Sequence, residues 1–225
     1  MEPFAQKEPK GFNSPFAVYA GTVTEMDRQI GRLLDELDKL GLTENTIVIF
    51  SSDNGPEDIA VRPAARSGMG SAGPLRGRKR SLYEGGVRVP FLVRWPKVTP
   101  AADVNDTTVI SGADLLPTLC ELTGTAVPPD VQATLRGDKG FSRSQPLVWE
   151  WRFEIFGHVW NHSPMLAVRD GQWKLLLNPD RSRVELYNIP TDPSERNNVA
   201  AQHPDVVEGL AAVALAWQET ITSSE

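Results

Sequence analysis

Thr46-Ile47-Val48-Ile49-Phe50-Ser51-Ser52-Asp53-Asn54-Gly55 decides how this 225-residue chain is read. Its first five residues are β-branched or apolar without polar alternation, the pattern of a strand buried on both faces. The run ends abruptly in serine, acid, amide and glycine. In open α/β sheets, ligands bind beyond the carboxyl ends of such strands. By itself Asp53-Asn54-Gly55 reads first as a turn. As a site, it offers a carboxylate and an amide carbonyl, two hard oxygen donors suited to Ca²⁺ or Mg²⁺.

Upstream, Ser14-Pro15 supplies an N-cap and a first-turn proline. Met26, Ile30, Leu33, Leu34, Leu37 and Leu40 recur at three- and four-residue intervals, and Gly41 offers a stop. The spacing predicts a long amphipathic helix packed on a sheet. A helix feeding a buried strand suggests a parallel α/β layer.

Downstream, the stretch from Pro56 to Arg80 loses periodicity and is long for a loop. It leads into Leu75-Arg76-Gly77-Arg78-Lys79-Arg80-Ser81-Leu82-Tyr83-Glu84-Gly85-Gly86-Val87-Arg88-Val89-Pro90. Four cations in five positions beside glycines suit an oxyanion, although a short basic run alone reads first as a solvated loop. Paired glycines imply unusual backbone, which Glu84 is placed to hold.

Val89 to Pro96 predicts a second strand and Val109-Ile110 a short third. Gly112 to Gly124 predicts a helix with Leu116, Leu119, Cys120 and Thr123 on its buried face. Val127 to Gly140 has loop composition. Beyond it the character changes: Leu147–Trp149, Met165–Val168, Trp173–Leu177 and Val184–Tyr187 are short strand candidates, with Asp170-Gly171 as a hairpin signal. A helix from Pro204 to Thr220 closes this part through Val206, Leu210, Val213, Ala214 and Trp217. The organisation expected is an α/β domain over 1–140 and a small α+β subdomain over 141–225. Trp149, Glu150, Trp151, Arg152, His158, Trp160 and His162 near one strand end suit a sugar or aryl subsite, or equally core packing with a mobile loop.

The formal charge of −6 gives no electrostatic case for nucleic acid or anionic membrane as partner. No apolar run has the length of a membrane span, and Met1 to Lys7 lacks a signal peptide's basic and apolar regions. The reading is therefore a cytoplasmic protein, or one whose beginning lies upstream. The single cysteine, Cys120, excludes an internal disulfide, and three histidines leave little for a histidine-built metal centre.

Taken in order, these stretches resemble the formylglycine-dependent sulfatases of the alkaline-phosphatase superfamily. Tyr19-Ala20 through Leu34 is similar to the helix before that family's metal-binding strand, and Ile47 to Gly55 to the strand itself. Leu75-Arg76-Gly77, Lys79 and Tyr83 to Pro90 resemble its second signature, and Asp114-Leu115-Leu116-Pro117-Thr118 a following helix. Val168 to Leu175, Leu186-Tyr187-Asn188 and Asp192 to Asn197 resemble its small C-terminal subdomain. The resemblance implies the C-terminal half of such an enzyme: part of the sulfatase sheet with flanking helices, then an antiparallel sheet with a C-terminal helix. It implies that Asp53 and Asn54 are two of the calcium ligands and that Lys79 binds a sulfate oxygen and steadies the leaving group. Arg78 and Arg80 stand where glycines are common and are expected either to extend the anion site or, as the favoured alternative, to face solvent. The family nucleophile is a hydrated formylglycine made from the first residue of Cys/Ser-x-Pro/Ala-x-Arg, a motif these 225 residues lack. The early Asp-Asp pair is also missing, so this chain alone is expected to be inactive and to bind Ca²⁺ weakly.

What the resemblance implies for partners is a sulfate ester, as a sulfated carbohydrate or an aryl sulfate, and a missing N-terminal half whose absence predicts poor solubility. Sulfatases are commonly exported, so an intact parent is expected outside the cytoplasm. Two alternatives stand beside it: a phosphodiesterase or phosphonate hydrolase relative, and a non-catalytic calcium- or sulfated-carbohydrate-binding remnant.

Overall fold

The computed structural model describes residues 15–57, 70–126, 143 and 145–222. The chain divides into two compact units, one made of Met1–Thr46, Ser51–Pro90 and Trp151–Ser163, the other of Ile47–Phe50, Phe91–Glu150 and Pro164–Glu225. The fold is mixed α/β, with small sheets and a C-terminal helix.

In the first unit, helix α1 (Pro15–Lys39) follows the predicted apolar rhythm. Gly41 ends it at φ 67°, its N–H donating to Asp38 O (3.1 Å) and that of Leu42 to Leu37 O (2.9 Å). These paired bonds satisfy carbonyls that would otherwise lack donors. The predicted N-cap, Ser14, lies outside the described residues. The expected burial of the stripe is not met, for Met26 and Leu33 are 47% and 59% exposed, and among the helix residues whose burial is described only Ala17 and Ala20 are buried. Local spacing, caps and i,i+3 pairs suffice to form a helix, whereas burial needs an opposing surface that the described residues of its unit do not provide.

Strand β1 (Val48–Ser51) pairs with β2 (Phe91–Arg94) in a two-stranded sheet. The expectation of burial on both faces is corrected: Val48 and Ile49 are half-buried and Phe50 and Ser51 exposed, because a two-stranded sheet cannot enclose its own faces. Between these strands lies α2, a single turn over Glu84–Val87.

Val109-Ile110 forms no strand. A 3₁₀ turn at Gly112–Asp114 leads instead into α3 (Leu115–Thr123). Asp114 fixes this entry, accepting from Ser111 N–H (2.7 Å) and from Arg143 (2.5 Å). The predicted buried face is also corrected. Leu116 and Leu119 are exposed and Cys120 half-buried, while Pro117 and Thr118 are buried, because the buried Asp114 anchor turns the helix that way.

The second unit holds the core. Strands β3 (Leu147–Glu150), β4 (Leu166–Asp170), β5 (Trp173–Leu177) and β6 (Glu185–Asn188) form an antiparallel sheet in sequence order. Leu166 opposes Leu177, Val168 opposes Leu175, and Leu175 opposes Leu186, so these side chains share one face. They pack against Leu210, Ala211 and Ala214 of α4 (Pro204–Thr222). Val213 points outward, so Ala211 completes the stripe in its place. The β4–β5 hairpin forms as predicted but one residue later, because Asp170 pairs with Trp173 and leaves Gly171-Gln172 as the turn. Gly171 takes the left-handed conformation there, at φ 51°. The loop expected over 127–140 lies outside the described residues.

Candidate oxyanion and metal site

The two stretches singled out from sequence meet in the first unit. Past β1 the chain turns through Asp53-Asn54-Gly55, and Gly55 N–H donates to Gly86 O at 2.8 Å. A β-carbon on Gly55 would collide with the carbonyl of Gly85. Gly85 is equally constrained: its N–H donates to Arg76 O at 2.6 Å, and a β-carbon there would strike the carbonyls of Arg76 and Gly77. The glycines that looked unusual in sequence are thus the contact points of three backbone segments. Glu84 is 4% exposed, and its carboxylate lies 3.9 Å from the Arg88 guanidinium.

A second tie joins Lys79 N–H to Pro56 O at 2.9 Å, and a third is built on Glu57. Arg80 grips both Glu57 carboxylate oxygens, at 2.6 and 3.2 Å. Arg78 donates to the Glu57 carbonyl at 2.7 Å and to the Gly70 carbonyl at 2.5 Å. Arg78 and Arg80 therefore do not face solvent; their long planar donors fasten the cationic turn to the strand-end turn. Lys79 reaches the same carboxylate only at 3.8 Å, and its side chain is 38% exposed against 18% for that of Arg80. Nothing local in sequence marked Glu57, because its partners are more than twenty residues away.

Asp53 is exposed, and among the described residues no hydrogen bond or ion pair holds its carboxylate. Asn54 donates through Nδ2 to Gly55 O at 2.9 Å, which leaves Oδ1 as an acceptor. The donor type fits a hard cation, but the number falls short, since Ca²⁺ takes six to eight oxygens. Among the described residues no group of three or more His, Cys, Asp or Glu is placed to hold a metal.

The aromatic segment Trp151–Ser163 belongs to this unit as well. The Arg76 guanidinium lies 3.7 Å from the centroid of the Tyr83 ring and 4.0 Å from that of Trp160, and its Nε donates to Trp160 O at 3.0 Å. Ser163 Oγ accepts from Leu82 N–H at 2.9 Å in a buried position. His158, read from sequence as a subsite candidate, uses Nδ1 to accept from Trp160 N–H at 3.1 Å and so caps the turn Val159–Asn161.

The chain has known counterparts. The family profile named Sulfatase matches residues 2–125, which include both turns. The chain belongs to the sulfatase family. A second profile, N-sulphoglucosamine sulphohydrolase C-terminal, matches residues 77–215. The chain is 35% identical over 215 residues to an N-acetylgalactosamine-6-O-sulfatase of Bacteroides thetaiotaomicron, covering 84% of this chain and 39% of that protein. It is 42% identical over 128 residues to the steryl-sulfatase of Rattus norvegicus, covering 56% of this chain and 22% of that one. Among solved structures, Ps i-CgsB in complex with k-i-k-neocarrahexaose aligns with a TM-score of 0.72 and 27% identity, covering 93% of this chain and 44% of the other. This sulfatase chain thus spans about two fifths of the length of that bacterial sulfatase and of that solved chain.

Proposed function

We propose that Asp53, Asn54 and Lys79 form the calcium and oxyanion corner of an enzyme that hydrolyses sulfate esters of saccharides. The observation that carries this reading is the stitching of the strand-end turn to the cationic turn through Gly55–Gly86 and Lys79–Pro56. Oxygen donors and a compact cation on adjoining turns suit a group that is anionic at rest and gains charge on its leaving oxygen. Bound calcium would neutralise sulfate oxygens as a Lewis acid. Lys79 would donate to a further sulfate oxygen and to the departing alkoxide, using a charge with three rotatable donors. Its hold on Glu57 is long and half-exposed, so transferring it to an anion costs little. The saccharide class is supported by relatives named for galactosamine and glucosamine sulfates.

These 225 residues encode the corner and no Cys/Ser-x-Pro/Ala-x-Arg nucleophile. A second reading is that the chain binds sulfated saccharide without turnover. Calorimetric titration of inorganic sulfate, with and without calcium, tests the corner itself. Lys79→Ala should weaken sulfate binding by about tenfold or more, the scale of a charge-assisted hydrogen bond. Asp53→Asn should remove the effect of calcium and spare that of Lys79. Sulfate affinity unchanged in Lys79→Ala would withdraw Lys79 from the site. Sub-micromolar calcium binding by this chain would contradict a two-donor share of the ligands. Turnover of p-nitrophenyl sulfate would exclude the binding-only reading.

A further inference from the structure

Within eight residues of the first unit, Phe153, Phe156, Val159 and Trp160 are 74, 45, 74 and 47% exposed. Concentrated apolar exposure of this kind marks a binding surface more often than a solvated loop. Two of the rings are also held in place. Trp160 is the outer layer of a three-part stack in which Tyr83, fully buried, supports Arg76, and Arg76 supports Trp160. The backbone of Trp160 is fixed at both ends, its carbonyl by Arg76 and its N–H by His158. Phe156 lies over the Arg80 guanidinium at 5.5 Å, and Arg80 neighbours Lys79 in the chain. The rings are thus mounted on the same cationic turn that carries the proposed sulfate ligand.

We infer that Trp160 and Phe156 form a stacking platform for the pyranose ring of a sulfated saccharide, beside the cation that takes its sulfate. This rests on the reading of Lys79 given above. A pyranose presents an apolar C–H face rimmed by hydroxyls, which suits an aromatic ring flanked by charges and backbone dipoles. An anionic saccharide brings the apolar face and the countercharge together. Because Trp160 is already immobilised, ordering it on binding costs little.

The test uses the full chain and three probes: a 6-O-sulfated N-acetylgalactosamine disaccharide, its desulfated counterpart and inorganic sulfate, titrated by calorimetry and ligand-observed NMR. Trp160→Ala should weaken the sulfated disaccharide by about tenfold while inorganic sulfate stays within about twofold. Trp160→Phe, which keeps a ring and guards against a folding artefact, should retain most of the affinity. Phe156→Ala should act in the same direction and more weakly. The desulfated disaccharide should show weak saturation transfer that Trp160→Ala removes. Disaccharide affinity unchanged in Trp160→Ala overturns the platform. So does an equal loss for inorganic sulfate, which would mean that the ring only props the turn. Wild-type affinity no higher for the disaccharide than for sulfate overturns it too. Lys79→Ala separates the two claims: if that variant binds sulfate normally while Trp160 still governs the disaccharide, the oxyanion corner fails and the platform stands.

Discussion

Two carboxylate–cation clusters in this chain have the same chemistry and opposite surroundings. Lys174 and Glu195 meet at 3.1 Å with both side chains fully buried in the second unit. Glu57 meets Arg80 at 2.6 Å and Lys79 at 3.8 Å, with side-chain exposures of 16, 18 and 38%. In the first cluster the geometry is locked. Lys174 sits on the inner strand β5 opposite Tyr187, and Asp192 accepts from the N–H groups of Arg196 and Asn197 to fix the turn that presents Glu195. Glu195 is held in the left-handed region, at φ 52°, a strained setting for a residue with a β-carbon. In the second cluster one carboxylate is shared among cations, and the weakest-held of them stays accessible. A buried pair specifies structure; a shared, half-open one can exchange its carboxylate for an incoming anion.

The largest effect should come from breaking the closed cluster. Lys174→Met leaves Glu195 buried without that ammonium and should lower the unfolding free energy by about 3–5 kcal/mol. Urea denaturation followed by far-ultraviolet circular dichroism measures it. The double variant Lys174→Met/Glu195→Leu should recover most of the loss, since a well-packed apolar pair also avoids the desolvation cost. A single-variant cost below about 1 kcal/mol would place the pair in the class of exposed ion pairs and dissolve the contrast.

Opening the second cluster should have a smaller and different consequence. Glu57→Gln removes the negative charge that competes for Lys79, at a stability cost of about 1 kcal/mol. Sulfate affinity should rise by about two- to fivefold, the size of one weak ion pair. Calorimetric titration of inorganic sulfate is the check. A fall in affinity would show that Glu57 matters by shaping the turn through Arg80, and the two clusters would then differ in degree and not in kind.

How much of this was legible in the sequence follows the same division. The four-stranded sheet and its C-terminal helix were readable nearly element by element, because strands that pair with their chain neighbours, a two-residue hairpin and a periodic helix all rest on local signals. The stretches that carry Lys174 and Glu195 were among those that resembled the sulfatase C-terminal subdomain, although their pairing was not visible. In the first unit the helix was readable and its burial was not, since Met26 and Leu33 show the same rhythm whether covered or bare. The expectation that Arg78 and Arg80 face solvent failed for a related reason. A basic run states its charge, but its partners, Glu57 and the Gly70 carbonyl, are set by long-range backbone ties. Glycine pairs gave the better clue: Gly85 and Gly86 marked the crossing before any contact was known.

The smallest effect belongs to a third pair, at the exposed extreme. On α1, Arg28 lies 2.7 Å from Glu25, with side chains 69 and 51% exposed. The Arg28 hydrogen bond, and after it that of Gln29, hold the Glu25 carboxyl below its ordinary range. A depressed carboxyl pKa contributes stability above the unfolded-state value and loses it as pH falls through the folded-state value. Its pH dependence is confined to acid conditions, and at neutral pH the contribution is kept small by solvent and salt screening of so exposed a pair. Arg28→Gln should therefore raise the Glu25 pKa, read by carboxyl-carbon NMR titration, and leave the unfolding midpoint at neutral pH where it was. High salt should move the wild-type titration in the same direction. If Glu25 titrates identically in the variant, the pair is not held in solution. If the midpoint drops, exposure has been given too much weight in separating the other two clusters.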